Sequence, residues 1–400
     1  MEFSSKLTLS QKALREKLHQ IYMTSPFGIG GHFVVVLALV YLFSDIVPAK
    51  MLAIWALIQV VILLLRLFTV WRFFKIDPFL VSHEETVSWK RYYTLGAAAT
   101  GLAWGLTIIL FFHDVSIEYH FYLCAALLGL AGGGLVTLGS ILSIYLAFML
   151  PMLGISTVWF FLQSEKIYTI TALMVSMAIF YYFFTARRYS LNYTRIIVEK
   201  ERVIQSRYEL LQRLSKAAEL RDNDTGMHIM RMSKYCYLLS QQSGQGEAFS
   251  EAMLHASSMH DIGKIGISDN ILLKPGKLTD EEFAIMETHA AAGKDILEGS
   301  ESEIISLSES IAYTHHEKHD GTGYPRGLKG EEIPIEGRIV AICDVFDALV
   351  SDRPYKKAWK SEDAFTHIKE QAGKHFDPDL VAYFLEIKNE IVNIQKQLTD

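Results

Sequence analysis

The stretch Ser258-Met-His-Asp-Ile-Gly-Lys-Ile-Gly-Ile267 sets His260 directly before Asp261, with Lys264 three residues further on. An imidazole followed by a carboxylate is a compact metal grip. On a helix expected from about Glu247 to Gly263, the two side chains point about 100° apart. They can hold one ion together, or the Asp can bridge two. Lys264 lies one turn along on nearly the same face. A lone His-Asp pair is a weak signal, so its meaning depends on the remaining ligands.

Those ligands are present. His228, His289, the pair His315-His316 and Asp344 recur around His260-Asp261 at gaps of about 30 residues, one helix plus its loop. Nine of the 14 histidines lie beyond residue 215. Apolar periodicity and turn residues predict helices over 226–242, 247–263, 279–297, 303–318, 336–351, 361–372 and 377–395. Asp222 or Asn223 would cap the first, and Thr279 with Glu282 forms a capping box for the third. Seven helices with short loops make one all-α domain, and each candidate ligand falls within or at the end of a helix. A single core histidine usually packs. Evenly spaced ones plus two His-x pairs point to a centre of more than one ion, because seven N and O donors exceed what one ion takes. With no thiolate in the set, Fe or Mn is expected in preference to Zn or Mg.

Ahead of this domain the chain is of another kind. Half of its 400 residues are hydrophobic, and the excess is packed into residues 27–185. Six apolar runs of spanning length, near 27–46, 52–73, 93–112, 118–138, 141–162 and 167–185, each match the ~20 residues a bilayer helix needs. A short amphipathic helix over 1–22 precedes them on the cytoplasmic side. Lys and Arg sit at the N-terminus, in the second loop (Arg72, Lys75, Lys90, Arg91) and after the last run (Arg187, Arg188, Arg195). The 113–118 connection has none. The positive-inside rule therefore places both termini in the cytoplasm and the six runs among membrane lipid. Arg66 is expected to snorkel, and His32 and His120 to sit near span ends. Gly96-Ala-Ala-Ala-Thr-Gly101 and Gly129-Leu-Ala-Gly-Gly-Gly134 suit close helix packing. The fold class expected is thus all-α: a membrane module over 23–185, a linker helix over 186–214 and a soluble bundle over 215–395.

In the linker, Ile197, Ile204 and Leu211 recur every seven residues beside Ile196, Val203 and Leu210. The pattern fits either a short coiled coil, and so a homodimer through the linker, or one amphipathic helix leaning on the next domain. A net charge of −6 gives no sign of a nucleic-acid-binding surface, and no nucleic-acid partner is expected. Cys124, Cys236 and Cys343 are few and far apart, which fits packing in a reducing compartment.

The stretch 215–390 resembles the HD-GYP family of metal-dependent phosphohydrolases. The matching residues are Arg221-Asp-Asn-Asp-Thr-Gly-Met-His228, His260-Asp-Ile-Gly-Lys264, Leu273-Lys-Pro-Gly-Lys277, His289, His315-His-Glu317, Asp320-Gly-Thr-Gly-Tyr-Pro325 and Asp344-Val-Phe-Asp-Ala-Leu-Val-Ser-Asp-Arg-Pro-Tyr-Lys356. The resemblance implies hydrolysis of cyclic di-GMP to pGpG or GMP. It implies metal ligation by His228, His260, Asp261, His289, His315, His316 and Asp344, with Asp261 bridging. Lys264 takes the catalytic lysine position, and Tyr324, Asp347, Arg353 and Lys356 hold bases or phosphates. Asp224 stands where three-metal members carry Glu. It is one methylene shorter, which leaves the metal count at two or three. The membrane block is similar to sensor or anchor modules found ahead of bacterial cyclic-nucleotide signalling domains.

The chemistry fits that implication. Water acidified between metal ions attacks phosphorus while the ions polarise the phosphoryl oxygens, and Lys264 offsets charge in the transition state. Arg353 would bind phosphate bidentately and Lys356 as a point charge. Tyr324 would stack on a base, and Glu317 would orient a ligand histidine. His255, His319, His367 and His375 are expected to pack or face solvent. Two alternatives remain: a receptor that binds the dinucleotide without cleaving it, and an HD enzyme for another cyclic dinucleotide.

Overall fold

The computed structural model describes residues 8–76, 82–111, 115–219, 221, 226–352 and 357–398. Asp224, Arg353 and Lys356, with the caps expected at Asp222 or Asn223, lie outside the described residues. The chain divides into two compact units, Met1–Val203 and Ile204–Asp400. Among the described residues there is no strand, only an isolated bridge between Ala372 and Phe376.

In the first unit the helices are α1 (Leu9–Phe43), α2 (Ala49–Phe74), α3 (His83–Leu110), α4 (Ile117–Leu138) and α5 (Leu142–Phe161), together with the larger part of α6 (Lys166–Glu219). All six are long and apolar enough to cross a membrane. Their outward faces carry Val34, Leu57, Leu64, Val136 and Phe180, each more than half exposed. Such surfaces suit lipid rather than water. The helix expected over 1–22 and the first span form one helix, α1, opened by a capping box of Thr8 and Gln11 and carrying Pro26 inside it. The sixth span and the linker likewise form one helix, α6. At 1.5 Å per residue its 54 residues reach about 80 Å, far beyond a ~30 Å hydrocarbon core. No Gly or Pro interrupts 166–219, so nothing local stops it. Ile197 is buried in the first unit, whereas Ile196, Val203 and Leu210 are exposed.

Close packing of α3 on α5 depends on a small residue, since a Cβ at Gly101 would sit 2.1 Å from the Phe148 carbonyl oxygen. Arg66 departs from its expected snorkelling. It is buried, donates to Thr100 Oγ1 (3.3 Å) and Tyr93 Oη (3.0 Å), and lies over the Tyr93 ring. Tyr93 also hydrogen-bonds Ser25 of α1. Oxygens on the inner face of α3 satisfy the guanidinium, so it turns inward. His32 is also inside, accepting from Trp104 Nε1, while His120, near the start of α4, meets the Tyr168 hydroxyl.

The second unit holds the end of α6 and then α7 (Gly226–Gln242), α8 (Glu247–Ala256), α9 (Asp269–Leu272), α10 (Asp280–Leu297), α11 (Glu303–Thr314), α12 (Ile335–Val350), α13 (Ser361–Glu370), α14 (Pro378–Glu386) and α15 (Lys388–Gln397). Thr279 and Glu282 form the expected capping box of α10. The helix expected over 377–395 is broken at Ile387, between α14 and α15. The core is centred on α12, whose Ile339, Val340, Ile342, Cys343 and Phe346 are buried against Tyr235, Phe365 and Phe384. All three cysteines are free and buried, so they pack.

Candidate metal centre

The helix expected through His260 gives way at Ala256. Two short 3-10 turns, Ser257–Met259 and Ile262–Gly266, flank His260-Asp261 instead. The cause is local competition for carbonyls: the Ser258 hydroxyl takes the His255 carbonyl (2.7 Å), and His260 Nδ1 donates to Ser257 O (3.0 Å). The second turn presses against α10 at Gly263, where a Cβ would lie 1.9 Å from the His289 carbonyl oxygen. Only glycine permits that approach, and it brings Asp261 within reach of the α10 ligand.

Two donor groups result. One comprises His228 (α7), His260 and Asp344 (α12). The other comprises Asp261, His289 (α10) and His315-His316 at the end of α11. Asp261 faces both. Its Oδ2 lies 3.2 Å from His260 Nε2 and 2.8 Å from Lys264 Nζ, and its Oδ1 lies 3.3 Å from His289 Nε2 and 3.6 Å from His315 Nε2. His228 Nε2 is 3.5 Å from Asp344 Oδ1.

The tautomers agree. His289 Nδ1 donates to Met286 O (2.7 Å), and His315 Nδ1 to Ile311 O (3.1 Å). Carbonyls only accept, so each ring carries a proton on Nδ1 and turns Nε2 inward, the nitrogen that can face a metal ion. Among the described residues, buried Nε2 of His289 and of His315, with Asp261 Oδ1, find no hydrogen-bond partner. Buried polar atoms are rarely left so, and convergent imidazole and carboxylate donors fit divalent first-row metal ions.

Electrostatics points the same way. Burial would push the Asp261 carboxyl up, but the Lys264 ammonium and His260 hold it well below the usual carboxylate range. Burial, followed by the neighbouring His315, keeps His316 neutral, well below its ordinary value. An ionised carboxylate and a neutral imidazole are the forms that could hold a metal ion.

Asp347 takes a different place from the substrate contact expected of it. It is fully buried, and both oxygens are engaged: Oδ2 accepts from His228 Nδ1 (2.8 Å), and Oδ1 from Arg231 Nε (2.8 Å). It orients His228 and leaves no oxygen for a base. Burial opposes its ionisation, but the bonds from His228 and Arg231 lower its pKa. Glu317 also differs from expectation. Instead of a histidine it accepts from the backbone N–H groups of Arg326 (2.8 Å) and Leu328 (2.9 Å), tying down the loop that carries Tyr324. The Tyr324 ring lies 4.7 Å from that of His316 and edge-on to Phe283. The expected candidates missed Arg231 altogether. Its place one turn after His228 was the available signal, but its partner lies 116 residues away.

Residues 200–380 match the family model described as HD domain. Over 193 residues the chain is 46% identical to a cyclic di-GMP phosphodiesterase of Thermotoga maritima, covering 48% of this chain and 52% of that protein. It is 42% identical over 205 residues to a cyclic di-GMP phosphodiesterase response regulator of Xanthomonas campestris, covering 51% and 54%. It is 44% identical over 192 residues to the 3'3'-cGAMP-specific phosphodiesterase 2 of Vibrio cholerae, covering 48% and 37%. The chain thus spans about half, or less, of the length of these relatives.

Proposed function

We propose that the chain is a membrane-anchored, metal-dependent phosphodiesterase that hydrolyses cyclic di-GMP to pGpG or GMP, with its C-terminal unit in the bacterial cytoplasm. The observation that carries this reading is Asp261, whose two oxygens face two separate histidine groups, an arrangement that would let one carboxylate serve two ions. Two divalent ions fit the described donors. When bound, they supply Lewis acidity that activates water and polarises the phosphoryl group. The protein's own part is to hold Nε2 donors in place, to keep Asp261 ionised and to set the Lys264 ammonium where charge builds on the phosphoryl oxygens. Tyr324, on a loop pinned by Glu317, offers a ring for a base.

Fe or Mn suits the donor set, and Asp224 is the third-ion candidate. Arg353 and Lys356 are proposed phosphate ligands. The exposed Ile196, Val203 and Leu210 on α6 support a homodimer through the linker. Six spanning helices with cytoplasmic termini would serve as anchor and signal input. A second substrate reading, 3'3'-cGAMP, is favoured by the relative named for that activity at 44% identity.

The test uses the full chain in detergent, loaded with Mn or Fe and incubated with each cyclic dinucleotide, and repeated with the double variant His260→Ala/Asp261→Ala. Hydrolysis of cyclic di-GMP that disappears in the double variant is the expected result. Binding without turnover would make the protein a receptor, and faster turnover of 3'3'-cGAMP would reassign the substrate.

A further inference from the structure

The segment bearing His260, Asp261 and Lys264 is gripped from one side by α10. From the other it is gripped by the last turns of α6 and the residue just beyond them. Three contacts make up this second grip. The Tyr208 ring stacks on His255, with centroids 3.6 Å apart and planes 8° from parallel, just before the first 3-10 turn. Ser215, buried, lies 3.2 Å from Ser258 Oγ and 2.9 Å from Met259 Sδ, while Ala218 packs with Met259 and Ile262. Met259 and Ile262 bracket His260-Asp261 in sequence. Finally, Arg221 donates from Nη1 to Ile265 O (2.6 Å) and from Nη2 to Ile267 O (3.0 Å) and Asp269 Oδ1 (2.6 Å).

The Arg221 contact matters most. The 3-10 turn Ile262–Gly266 has carbonyls at its C-terminal end without partners inside the turn, as every short helix does. A guanidinium reaching the Ile265 carbonyl of the turn and that of Ile267, its cap residue, at once closes the turn in a way a single ammonium cannot. Lys264 lies within that turn, and its Nζ is held 2.8 Å from Asp261.

We infer that Arg221 is a positioning residue: together with Ser215 and Tyr208 it makes the end of α6 an arm that fixes Lys264 against Asp261. The inference rests on the phosphodiesterase reading for its kinetic consequence and on the contacts alone for its structural one.

The experiment compares the full chain with Arg221→Gln, Arg221→Lys and Glu209→Gln in detergent, metal-loaded. Glu209 is exposed on α6 and pairs with Arg213 of the same helix and with no other charged group among the described residues. Arg221→Gln is expected to lower kcat about tenfold or more, the scale of a displaced catalytic group, with KM, bound metal and melting midpoint unchanged. It should also speed amide exchange at Lys264 to Ile267. Arg221→Lys should fall between, and Glu209→Gln should match the parent. Unchanged exchange at those amides in Arg221→Gln overturns the arm, as does a joint fall of kcat, metal content and melting midpoint, which would mark a structural residue only. If the parent hydrolyses no cyclic dinucleotide, the functional reading fails separately, and the exchange comparison still decides the arm.

Discussion

His228 and Asp347 are joined by a 2.8 Å hydrogen bond from Nδ1 to a carboxylate oxygen, and the same carboxylate is held from its other side by Arg231. All three groups are buried. The consequence is a fixed tautomer: with its proton on Nδ1, His228 keeps Nε2 for the group it forms with His260 and Asp344. An Asn at 347 can turn its amide N–H toward Nδ1, which drives the ring proton to Nε2. Asp347→Asn is therefore expected to weaken metal binding about 10–100-fold, read as metal content after dialysis against graded chelator. Asp347→Ala also leaves the Arg231 charge buried without its carboxylate, which costs about 3–5 kcal/mol. Thermal unfolding would show that second loss and separate the two variants.

Gly263 and Gly266 share one 3-10 turn but differ in their surroundings. A Cβ at 263 would meet the His289 carbonyl oxygen at 1.9 Å and the Gly293 nitrogen at 2.4 Å, both backbone; at 266 its nearest neighbour would be Ala292 Cβ at 3.9 Å. Gly263→Ala must push the turn off α10 and separate Asp261 from His289. It is expected to cost about 1–3 kcal/mol or more and to lower metal content. Gly266→Ala should stay within about 0.5 kcal/mol of the parent. Equal behaviour of the two in unfolding and metal analysis would contradict the packing described.

Asp377 caps α14 and accepts from Arg338 of α12 at 2.6 Å. Burial raises its pKa, but the Arg338 bond, the N–H groups of Leu380 and Asp379, and the Arg338 charge lower it below the ordinary carboxylate value. A folded-state pKa below the unfolded one means that the contribution is fully present above about pH 4. It is lost as pH falls through the folded value. Asp377→Asn keeps a capping side chain but loses the charge, so about 1 kcal/mol should disappear at pH 7. The difference between parent and variant should then shrink below pH 4. Urea unfolding at several pH values measures it, and a difference that grows toward acid would refute the sign.

The donor set could be read from the chain because metal ligands are marked by residue type. His315-His316 or His260-Asp261 has few uses in a core, and helix-plus-loop spacing carries each ligand to the centre. Three features could not be read that way, because each depends on a distant partner. The 3-10 form of 257–266 is set by Gly263 meeting α10 and by serine side chains taking carbonyls, neither of which alters apolar periodicity. Asp347 reads as a motif residue until Arg231 is seen beside it. Arg66 reads as a snorkelling cation until Tyr93 and Thr100 supply oxygens from another helix. Composition also changes sharply along α6 without any local signal that stops a helix, and α1 runs on through Pro26, so polar and apolar stretches expected as separate elements form one.

Glu317 is 2% exposed, and its carboxylate accepts two backbone N–H groups, from Arg326 and Leu328. Those two residues follow Tyr324-Pro325, and an acceptor with no proton of its own is the one group that can take both bonds. A Gln there presents an NH2 to one donor N–H and must lose that bond, at about 1–3 kcal/mol for a buried donor left unpaired. The loss falls on the loop rather than on the metal ligands, since no ligand histidine bonds Glu317 among the described residues. Glu317→Gln is therefore expected to raise KM for the cyclic dinucleotide several-fold, as Tyr324 loses its fixed place, while metal content stays at the parent level. Glu317→Asp, which keeps the charge but falls one methylene short, should lie between the two. Steady-state kinetics with metal analysis on the same samples tests this. A fall in metal content with KM unchanged would return Glu317 to the role of orienting a ligand histidine.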